Sequence, residues 1–150
     1  MTRSGADLVL LLLGGFRSLV DAAVLELAER GYPDFRPAHE FAMRAIVAGA
    51  DNASELGRRT AVSKQAASKT ISILVERGYV EIGTDQSDGR RKRLQVTELG
   101  FAAMREGEQV FEELRDQWIA QIGLEQVEHL EATLTTLTAG ASASATDTLP

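Results

Sequence analysis

The sequence predicts a mainly α-helical protein with one small β-hairpin, and two patterns in its 150 residues support this. Apolar residues recur at spacings of three and four along most of the chain, which is the period of an amphipathic helix. Apolar and polar residues alternate in residues 79–84 and 92–97, and a turn-rich segment, Asp-Gln-Ser-Asp-Gly, follows the first of these stretches. Alternation on both sides of such a turn is typical of two paired strands. We therefore expect helices on either side of a single hairpin.

The first predicted helix runs from Ala6 to about Arg30 and is ended by Gly31 and Pro33. Its apolar arc is broader than contact with one neighbouring element requires. The apolar positions are Leu8, Leu11, Leu12, Gly15, Leu19, Ala22, Ala23 and Leu27. No unbroken apolar stretch reaches the roughly 18 residues typical of a membrane span. We expect a cytoplasmic protein that does not contact a membrane.

The middle of the chain has the element order of a winged helix-turn-helix. Helices are predicted over residues 37–49, 52–59 and 63–77, with Ser63 as the N-cap of the third and Gly78 just past its end. The hairpin, or wing, then follows directly. A short helix, a tight break, a second helix and a hairpin are the parts of this DNA-binding motif.

The helix that begins at Ser63 has one apolar face and one polar face that lacks acidic residues. Ala67, Thr70, Ile71 and Leu74 form the predicted buried face. Lys64, Gln65, Ser68, Lys69 and Ser72 form the opposite one. Exposed helix faces usually mix Glu with Lys, but no acid occurs in residues 63–75. Gln pairs well with adenine, and Lys with guanine or phosphate, so this face suits the major groove.

Positive charge is concentrated in the same region. Residues 52–97 contain nine Lys or Arg and five Asp or Glu, whereas the rest of the chain contains seven and seventeen, giving −6 overall. The run from Arg90 to Arg93 requires an anion nearby, and a narrow minor groove flanked by phosphates supplies one. Asp88 is placed to hold Arg90 by an ion pair. An ordinary solvated charge run at a turn is the alternative.

The C-terminal third of the chain reads as two helices and a tail. Thr97 caps a helix that reaches Ile122, and a last helix covers residues 124–137. The apolar positions of these two helices are Val110, Phe111, Leu114, Trp118, Ile122, Val127, Leu130, Leu134 and Leu137. From Thr138 onward the composition is rich in Ala, Ser, Thr and Gly, which predicts a flexible tail over residues 138–150.

Cysteine is absent and only two histidines occur, His39 and His129. This composition excludes disulfides and thiolate metal sites. A metal-responsive protein that uses the histidines with carboxylates such as Glu40 and Glu128 remains a weaker alternative. The sequence contains no Gly-rich phosphate loop and no nucleophile paired with a base. We expect neither a cofactor nor enzymatic activity.

Two stretches carry a resemblance to a known family. The segment Asp85–Gly100 is similar to the wing motif of the MarR family of bacterial transcription regulators, an Asp-x-Arg element followed by Leu-Thr-x-x-Gly, although Val96 replaces the usual Leu. The segments Ser63–Lys69 and Leu74–Val80 resemble the family's recognition helix and its entry into the hairpin.

The resemblance implies a single domain over residues 1–150 that forms a homodimer and binds double-stranded DNA. Residues 6–31 and 98–137 would be dimerisation helices, residues 37–97 the DNA-binding lobe, and residues 138–150 the tail. From the helix face, the cation run and the resemblance together, the predicted DNA-binding residues are Ser63, Lys64, Gln65, Ser68, Lys69, Ser72, Asp88, Arg90 and Arg91. The implied function is a repressor that binds a pseudo-palindromic operator.

Members of this family often lose DNA affinity when a small aromatic or carboxylic molecule binds between the dimer helices and the DNA lobe. The candidate ligand residues are Phe16, Tyr32, Arg36, His39, Met43 and Phe111. Each of them also has an ordinary explanation as a core, surface or capping residue. A further alternative is a winged-helix protein-interaction module that does not bind DNA.

Overall fold

The computed structural model describes residues 2–84 and 92–145, and its elements follow the predicted order. The helices are α1 (Gly5–Glu29), α2 (Pro37–Val47), α3 (Ala53–Thr60), α4 (Lys64–Glu76), α5 (Glu98–Ile122) and α6 (Leu124–Ala145). The strands are β1 (Val80–Thr84) and β2 (Lys92–Val96). The chain forms two compact units, Met1–Phe111 and Glu112–Pro150, and the division falls within α5. The predicted mainly α fold with one hairpin is confirmed.

Side-chain caps set the starts of the two central helices. Asn52 Oδ1 accepts a hydrogen bond from the backbone N–H of Glu55 at 2.9 Å. Ser63 Oγ accepts one from the N–H of Ala66 at 3.1 Å. Each cap satisfies a donor that the first helical turn leaves unpaired, and its loss typically costs about 1 kcal/mol. At the other end of α4, Gly78 has a φ of 77°, as predicted for a residue that ends a helix.

The strands of the wing pair antiparallel, with Val80 opposite Val96 and Ile82 opposite Leu94. Val80 and Leu94 are buried, whereas Ile82 is 56% exposed although it lies on the same face of the strand as Val80. At this level of the hairpin the core therefore covers Leu94 of β2 but leaves its partner Ile82 of β1 largely exposed. The turn of the wing, residues 85–91, lies outside the described residues.

The core of the first unit lies where α2, α3, α4 and β1 meet. Its fully buried side chains include Leu27, Phe35, Met43, Leu56, Leu74 and Val80. Removing one such side chain from water contributes about 1.5–3 kcal/mol. Phe35 comes from the segment between α1 and α2, so this segment is part of the core and not a peripheral connection.

The turn between α3 and α4 is tight and conformationally demanding. Ala61 adopts a left-handed conformation with a φ of 57°, which is unusual for a residue other than glycine. The N–H of Val62 donates to the carbonyl oxygen of Gly57 at 3.0 Å. A Cβ atom at position 57 would lie 2.8 Å from the carbonyl oxygen of Val62. The absence of a side chain at Gly57 therefore allows α3 to fold back onto the start of α4.

In the second unit, Leu114 of α5 and Val127 of α6 are buried. The Arg115 guanidinium donates two hydrogen bonds to the carboxylate of Glu131, at 3.1 and 2.7 Å. A bidentate pair of this kind fixes the orientation of both side chains. The second half of α5 is thereby joined to α6 by an apolar and an ionic contact.

The predicted end of the last helix at Leu137 is wrong, because α6 continues to Ala145. The tail composition was taken as flexible, but alanine is the strongest helix former. The threonine hydroxyls also bond within the helix: Thr135, Thr136 and Thr138 each donate to the carbonyl oxygen four residues earlier. The prediction of a flexible tail is therefore corrected for residues 138–145, and residues 146–150 lie outside the described part.

Helix α1 contributes little to the core, since Ala23 and Leu27 are its only buried residues. By length and composition alone it meets the requirements of a membrane-spanning helix, with a mean hydropathy of 2.0 over 18 residues of which 6% are buried. The expectation of no membrane span rested on unbroken apolar runs, which do not reveal the high mean hydropathy of the whole helix. The core helix of a soluble protein and a signal sequence near the N-terminus meet the same requirements.

The close approach at Gly57 leads to a first prediction. Gly57→Ala should lower the free energy of unfolding by about 1–3 kcal/mol, because the added methyl group meets backbone and not a movable side chain. Chemical denaturation followed by circular dichroism measures this. Gly5→Ala, where an added Cβ meets nothing within 4 Å, is the control. Equal stability of the Gly57 variant and the wild type would contradict the tight packing of this turn.

Candidate nucleic-acid interface

Helix α4 presents the predicted polar face to solvent. The predicted residues of this face, which we call the α4 face, are all exposed: Ser63, Lys64, Gln65, Ser68, Lys69 and Ser72. On the opposite side, Ala67 and Leu74 are buried at 1% and 0% exposure. The predicted core face is confirmed at Ala67 and Leu74, whereas Thr70 and Ile71, predicted with them, are only half-buried.

The two lysines of the α4 face are not neutralised within the part of the chain that the structure describes. Neither Lys64 nor Lys69 forms an ion pair there. The first turn of α4 also lacks an acidic residue, although helix N-termini favour one. An unoccupied positive helix end beside two lysines is a favourable place for a phosphate group.

The hydroxyl groups of the α4 face differ in what they are free to do. Ser63 Oγ is used as the N-cap, and Ser72 Oγ donates to the carbonyl oxygen of Ser68 at 3.1 Å. An oxygen that donates its hydrogen within the helix keeps its lone pairs, so Ser72 can still accept from a base amino group. The cap at Ser63 orients its side chain at the first turn.

At the base of the wing, Arg93 already has a protein partner. Its Nε lies 3.5 Å from Oδ1 of Asp51, a largely buried carboxylate just before α3. Asp51 therefore supplies part of the negative charge that the run of four cations was expected to require. Asp88, Arg90 and Arg91, the predicted DNA-binding residues of the wing, lie outside the described residues.

Two of the candidate ligand residues contact the same aromatic ring, which the sequence reading did not single out. Phe35 is 1% exposed, and its ring centroid lies 6.3 Å from that of Tyr32 and 6.0 Å from that of His39. Arg36, the next residue in the chain, donates its N–H to His39 Nδ1 at 3.1 Å. Tyr32, Arg36 and His39 are thus brought together around Phe35.

The other three candidates lie elsewhere. Met43 is fully buried in the core, and Phe16 is exposed on α1. Phe111 stacks against Phe41 with ring centroids 6.4 Å apart. Phe41 also lines two depressions, one of about 100 Å³ and one of about 500 Å³, and none of the six candidates lines either. The helical periodicity of α2 contained Phe41, but periodicity cannot distinguish a core position from a cavity wall.

Glu40 is a fully buried acid in the contact between α2 and α5. Its Oε1 accepts from Arg44 Nε at 2.9 Å, while its Oε2 has no hydrogen-bond partner. Burial raises the pKa of this carboxyl group, and Arg44 opposes that effect. A Cβ atom at position 107 would collide with Oε2 of Glu40. The close approach of α5 to this carboxylate therefore depends on a glycine at that position.

The metal-responsive alternative requires at least three carboxylate or histidine side chains close together. Within residues 2–84 and 92–145, no group of three or more His, Asp or Glu side chains is placed to hold a metal ion. His39 and Glu40 are neighbours in α2, but the ring nitrogen Nδ1 of His39 is occupied by the N–H of Arg36. The described residues offer no support for a metal site.

His39 leads to a second prediction. Its pKa is lowered from about 6.5, first by burial and then by the charges of Arg77 and Arg36. The unfolded chain therefore takes up a proton at this histidine at a higher pH than the folded chain does. As pH falls below about 6.5 towards the lowered pKa, His39 should reduce the free energy of unfolding. Above about pH 6.5, His39 no longer reduces the free energy of unfolding.

The test compares the wild type with His39→Asn in urea denaturation at about pH 7.5 and about pH 5.5. Asn Oδ1 can accept the Arg36 N–H, so the variant keeps the cap and loses the titration. The variant should lose less stability than the wild type on acidification. Because both proteins contain Glu40, the difference between them reports the titration of His39. Gln126→Asn, at an exposed position of α6, is the control and should behave as the wild type. Identical pH dependence in all three proteins would rule out the effect.

The comparisons with known proteins agree with this geometry. Residues 42–91, which include α3, α4 and β1, match the sequence model of the MarR family. A comparison with characterised proteins finds no significant sequence match.

Three solved structures illustrate the structural similarity. Streptococcus pneumoniae FabT in complex with DNA has a TM-score of 0.70 at 17% identity, covering 93% of this chain and 99% of that one. A Mycobacterium tuberculosis MarR family protein in complex with salicylic acid has a TM-score of 0.67 at 21% identity, with 85% and 93% covered. A probable transcriptional regulator from Pseudomonas aeruginosa has a TM-score of 0.68 at 22% identity, with 85% and 94% covered.

At these identities the solved structures support only the fold. The match to the family's sequence model supports the assignment of the winged-helix region, residues 42–91. Both agree with the exposed, acid-free face of α4 and with the hairpin that follows it. Over residues 42–91 the chain is similar to the MarR family.

Proposed function

We propose that this chain is a homodimeric repressor of transcription that binds a pseudo-palindromic operator in double-stranded DNA. Proteins of the MarR family are DNA-binding regulators and not enzymes. The observation that carries the proposal is the α4 face, an exposed helix surface without acids whose two lysines form no ion pair with the residues that the structure describes. A helix of this kind fits the major groove, which is about 12 Å wide.

The roles of the side chains follow from their positions on α4. Lys64 lies in the first turn, where the positive helix end and its charge both attract a phosphate group. Gln65 and Lys69 are one turn apart on the same face, where Gln pairs with adenine and Lys donates to guanine or to a phosphate group. FabT, whose fold is similar, was solved in complex with DNA, which supports this use of the fold.

Dimer formation is supported by the surface of α1. Six consecutive apolar residues, Leu8–Leu13, are all at least 40% exposed. Because a helix has 3.6 residues per turn, six consecutive residues cover its whole circumference. Such a helix has to be covered on several sides, and a second copy of the chain in the cytoplasm supplies the cover. A dimer of this kind places two α4 helices about one DNA turn apart, which calls for a pseudo-palindromic site.

Control by a small molecule is the last part of the proposal. A MarR family protein of similar fold was solved with salicylic acid. In this chain, Tyr32, Arg36 and His39 meet around Phe35, next to the end of α1, and combine aromatic surface with a cation. An aromatic or carboxylic ligand bound there would release DNA if it favours a different lobe spacing.

DNA binding is tested by fluorescence anisotropy with the upstream region of the protein's own gene and with duplexes selected from a randomised pool. The wild type should bind in a salt-sensitive manner. Lys69→Ala should weaken binding about tenfold and lower the slope of log K against log salt by about one. The control Arg105→Ala removes an exposed cation from α5 and should leave both quantities unchanged.

A folded wild type that binds no duplex even at low salt would refute the proposed function. The protein would then fit an interaction module that uses the same fold without DNA. Binding that does not respond to Lys69→Ala would instead move the interface away from the α4 face.

The dimer is tested with Leu11→Glu, examined by light scattering after size-exclusion chromatography. A charge in the covered surface should weaken the dimer by about a hundredfold or more, since an unpaired buried charge costs several kcal/mol. Val47→Glu makes the same change at an exposed apolar residue of α2 and should leave the dimer intact. A wild type found in the membrane fraction of cells would show that lipid, not a second copy, covers α1.

A further inference from the structure

The residues that join α4 to β1 have contacts to segments far apart in the chain. This junction consists of Arg77, Gly78 and Tyr79, and Arg77 is the C-cap residue of α4. Gly78 has a φ of 77°, which turns the chain sharply from helix to strand. Because the junction directly follows α4, whatever holds it also sets the direction of that helix.

On one side, the junction contacts the segment that follows α1. Arg77 Nη1 donates a hydrogen bond to the carbonyl oxygen of Asp34 at 2.6 Å, across 43 residues of sequence. Beside it, the ring of Tyr79 lies edge-on to the ring of Phe35, with centroids 5.8 Å apart. The end of α4 is therefore joined to the connection between α1 and α2 by one polar and one aromatic contact.

On the other side, the junction contacts the start of α5. Thr97 Oγ1 donates to the carbonyl oxygen of Gly78, and the Thr97 N–H donates to that of Tyr79 at 3.0 Å. A Cβ at Gly100 would collide with the Tyr79 carbonyl group. These are largely backbone contacts, and they form as soon as the wing folds, because Thr97 follows β2 directly.

The two sides differ in what they depend on. The α5 side combines the hydroxyl and the backbone N–H of Thr97, close to the wing, whereas the hydrogen bond on the α1 side depends on the Arg77 side chain alone. Arg77 is suited to it because a guanidinium is planar and always charged, and its positive charge is favourable at a helix C-terminus. Arg77 is also not part of the α4 face, so it is not available to contact DNA in the manner of Lys64 or Lys69.

We propose that Arg77 is a positioning residue that holds α4 at a fixed angle to α1 and so sets the spacing between half-sites that the dimer accepts. This inference rests on the proposed function. In a dimer covered through α1, the angle between α4 and α1 decides where each α4 reaches the DNA. The two helices have to be about 34 Å apart to enter successive major grooves.

The expected consequence is a change in spacing preference and not a loss of DNA contacts. With the Arg77–Asp34 bond present, one inserted or deleted base pair between half-sites displaces and rotates one half-site relative to its α4. The wild type should bind such duplexes at least about tenfold more weakly, a cost of about 1.4 kcal/mol. Without the bond, α4 adjusts its angle, and the penalty should fall to about threefold or less.

The experiment uses full-length wild type and Arg77→Met, which keeps an apolar stem of similar length and removes the donor. The probes are a duplex selected from a randomised pool and two versions with one base pair inserted or deleted at its centre. The measured quantity is the ratio of the dissociation constants for altered and selected duplexes. Because both come from one protein sample, a lower fraction of folded protein cancels from the ratio.

Three further variants sharpen the test. Arg105→Met should keep the wild-type ratio. Lys69→Ala should weaken binding to all three duplexes equally and also keep the ratio. Arg77→Lys keeps the charge but not the planar donor, and its ratio should lie between those of the wild type and Arg77→Met.

The outcomes separate this inference from the proposed function. A reduced ratio in Arg77→Met, with the salt dependence of the wild type, supports the positioning role. An unchanged ratio, or a wild type that accepts all three spacings equally, overturns it and leaves the proposed function standing. A wild type that binds no duplex overturns the proposed function, and the spacing role fails with it.

Discussion

The close approach of α5 to the end of α4 is the contact on which the winged-helix lobe depends. Gly100 lies against the carbonyl group of Tyr79, where any side chain would collide, and Thr97 donates hydrogen bonds to this same stretch of backbone. This contact closes the wing, ends α4 and starts α5 at one point. The buried ring of Phe35 covers it from the side of α1. The exposed face of α4 is therefore held from behind by backbone geometry and needs no stabilising contacts of its own.

Because the residues of the α4 face do not have to stabilise the fold, their composition can suit another role. Surface helices commonly gain stability from pairs of Glu and Lys one turn apart. Helix α4 has no such pair among its exposed residues, although α3 contains a comparable pair of Glu55 and Arg59. In a protein of net charge −6, a helix with no acid before Glu76 at its C-terminal end keeps its positive potential available to an anionic partner.

The sequence predicted the elements well wherever local chemistry decides them. The cap at Ser63 and the break at Gly78 are side-chain or backbone effects confined to a few residues, and both are found. Prediction failed where distant or cooperative effects decide, as at Leu137, where the helix continues. It also missed Phe35 and Arg77, because their contacts join residues far apart in the chain. No local pattern distinguishes a core phenylalanine in a connecting segment from an exposed one.

Glu40 and Gly107 illustrate how such a contact limits the substitutions that the protein can accept. The carboxylate occupies the space that a side chain at position 107 would need. Alanine at 107 requires the buried Glu40 carboxylate to move, whereas a shorter residue at 40 opens that space at the cost of the pair with Arg44. The two positions are therefore coupled, because the length of one side chain decides how much room the other has. Relatives that carry a larger residue at the position of Gly107 are expected to carry a shorter one opposite it.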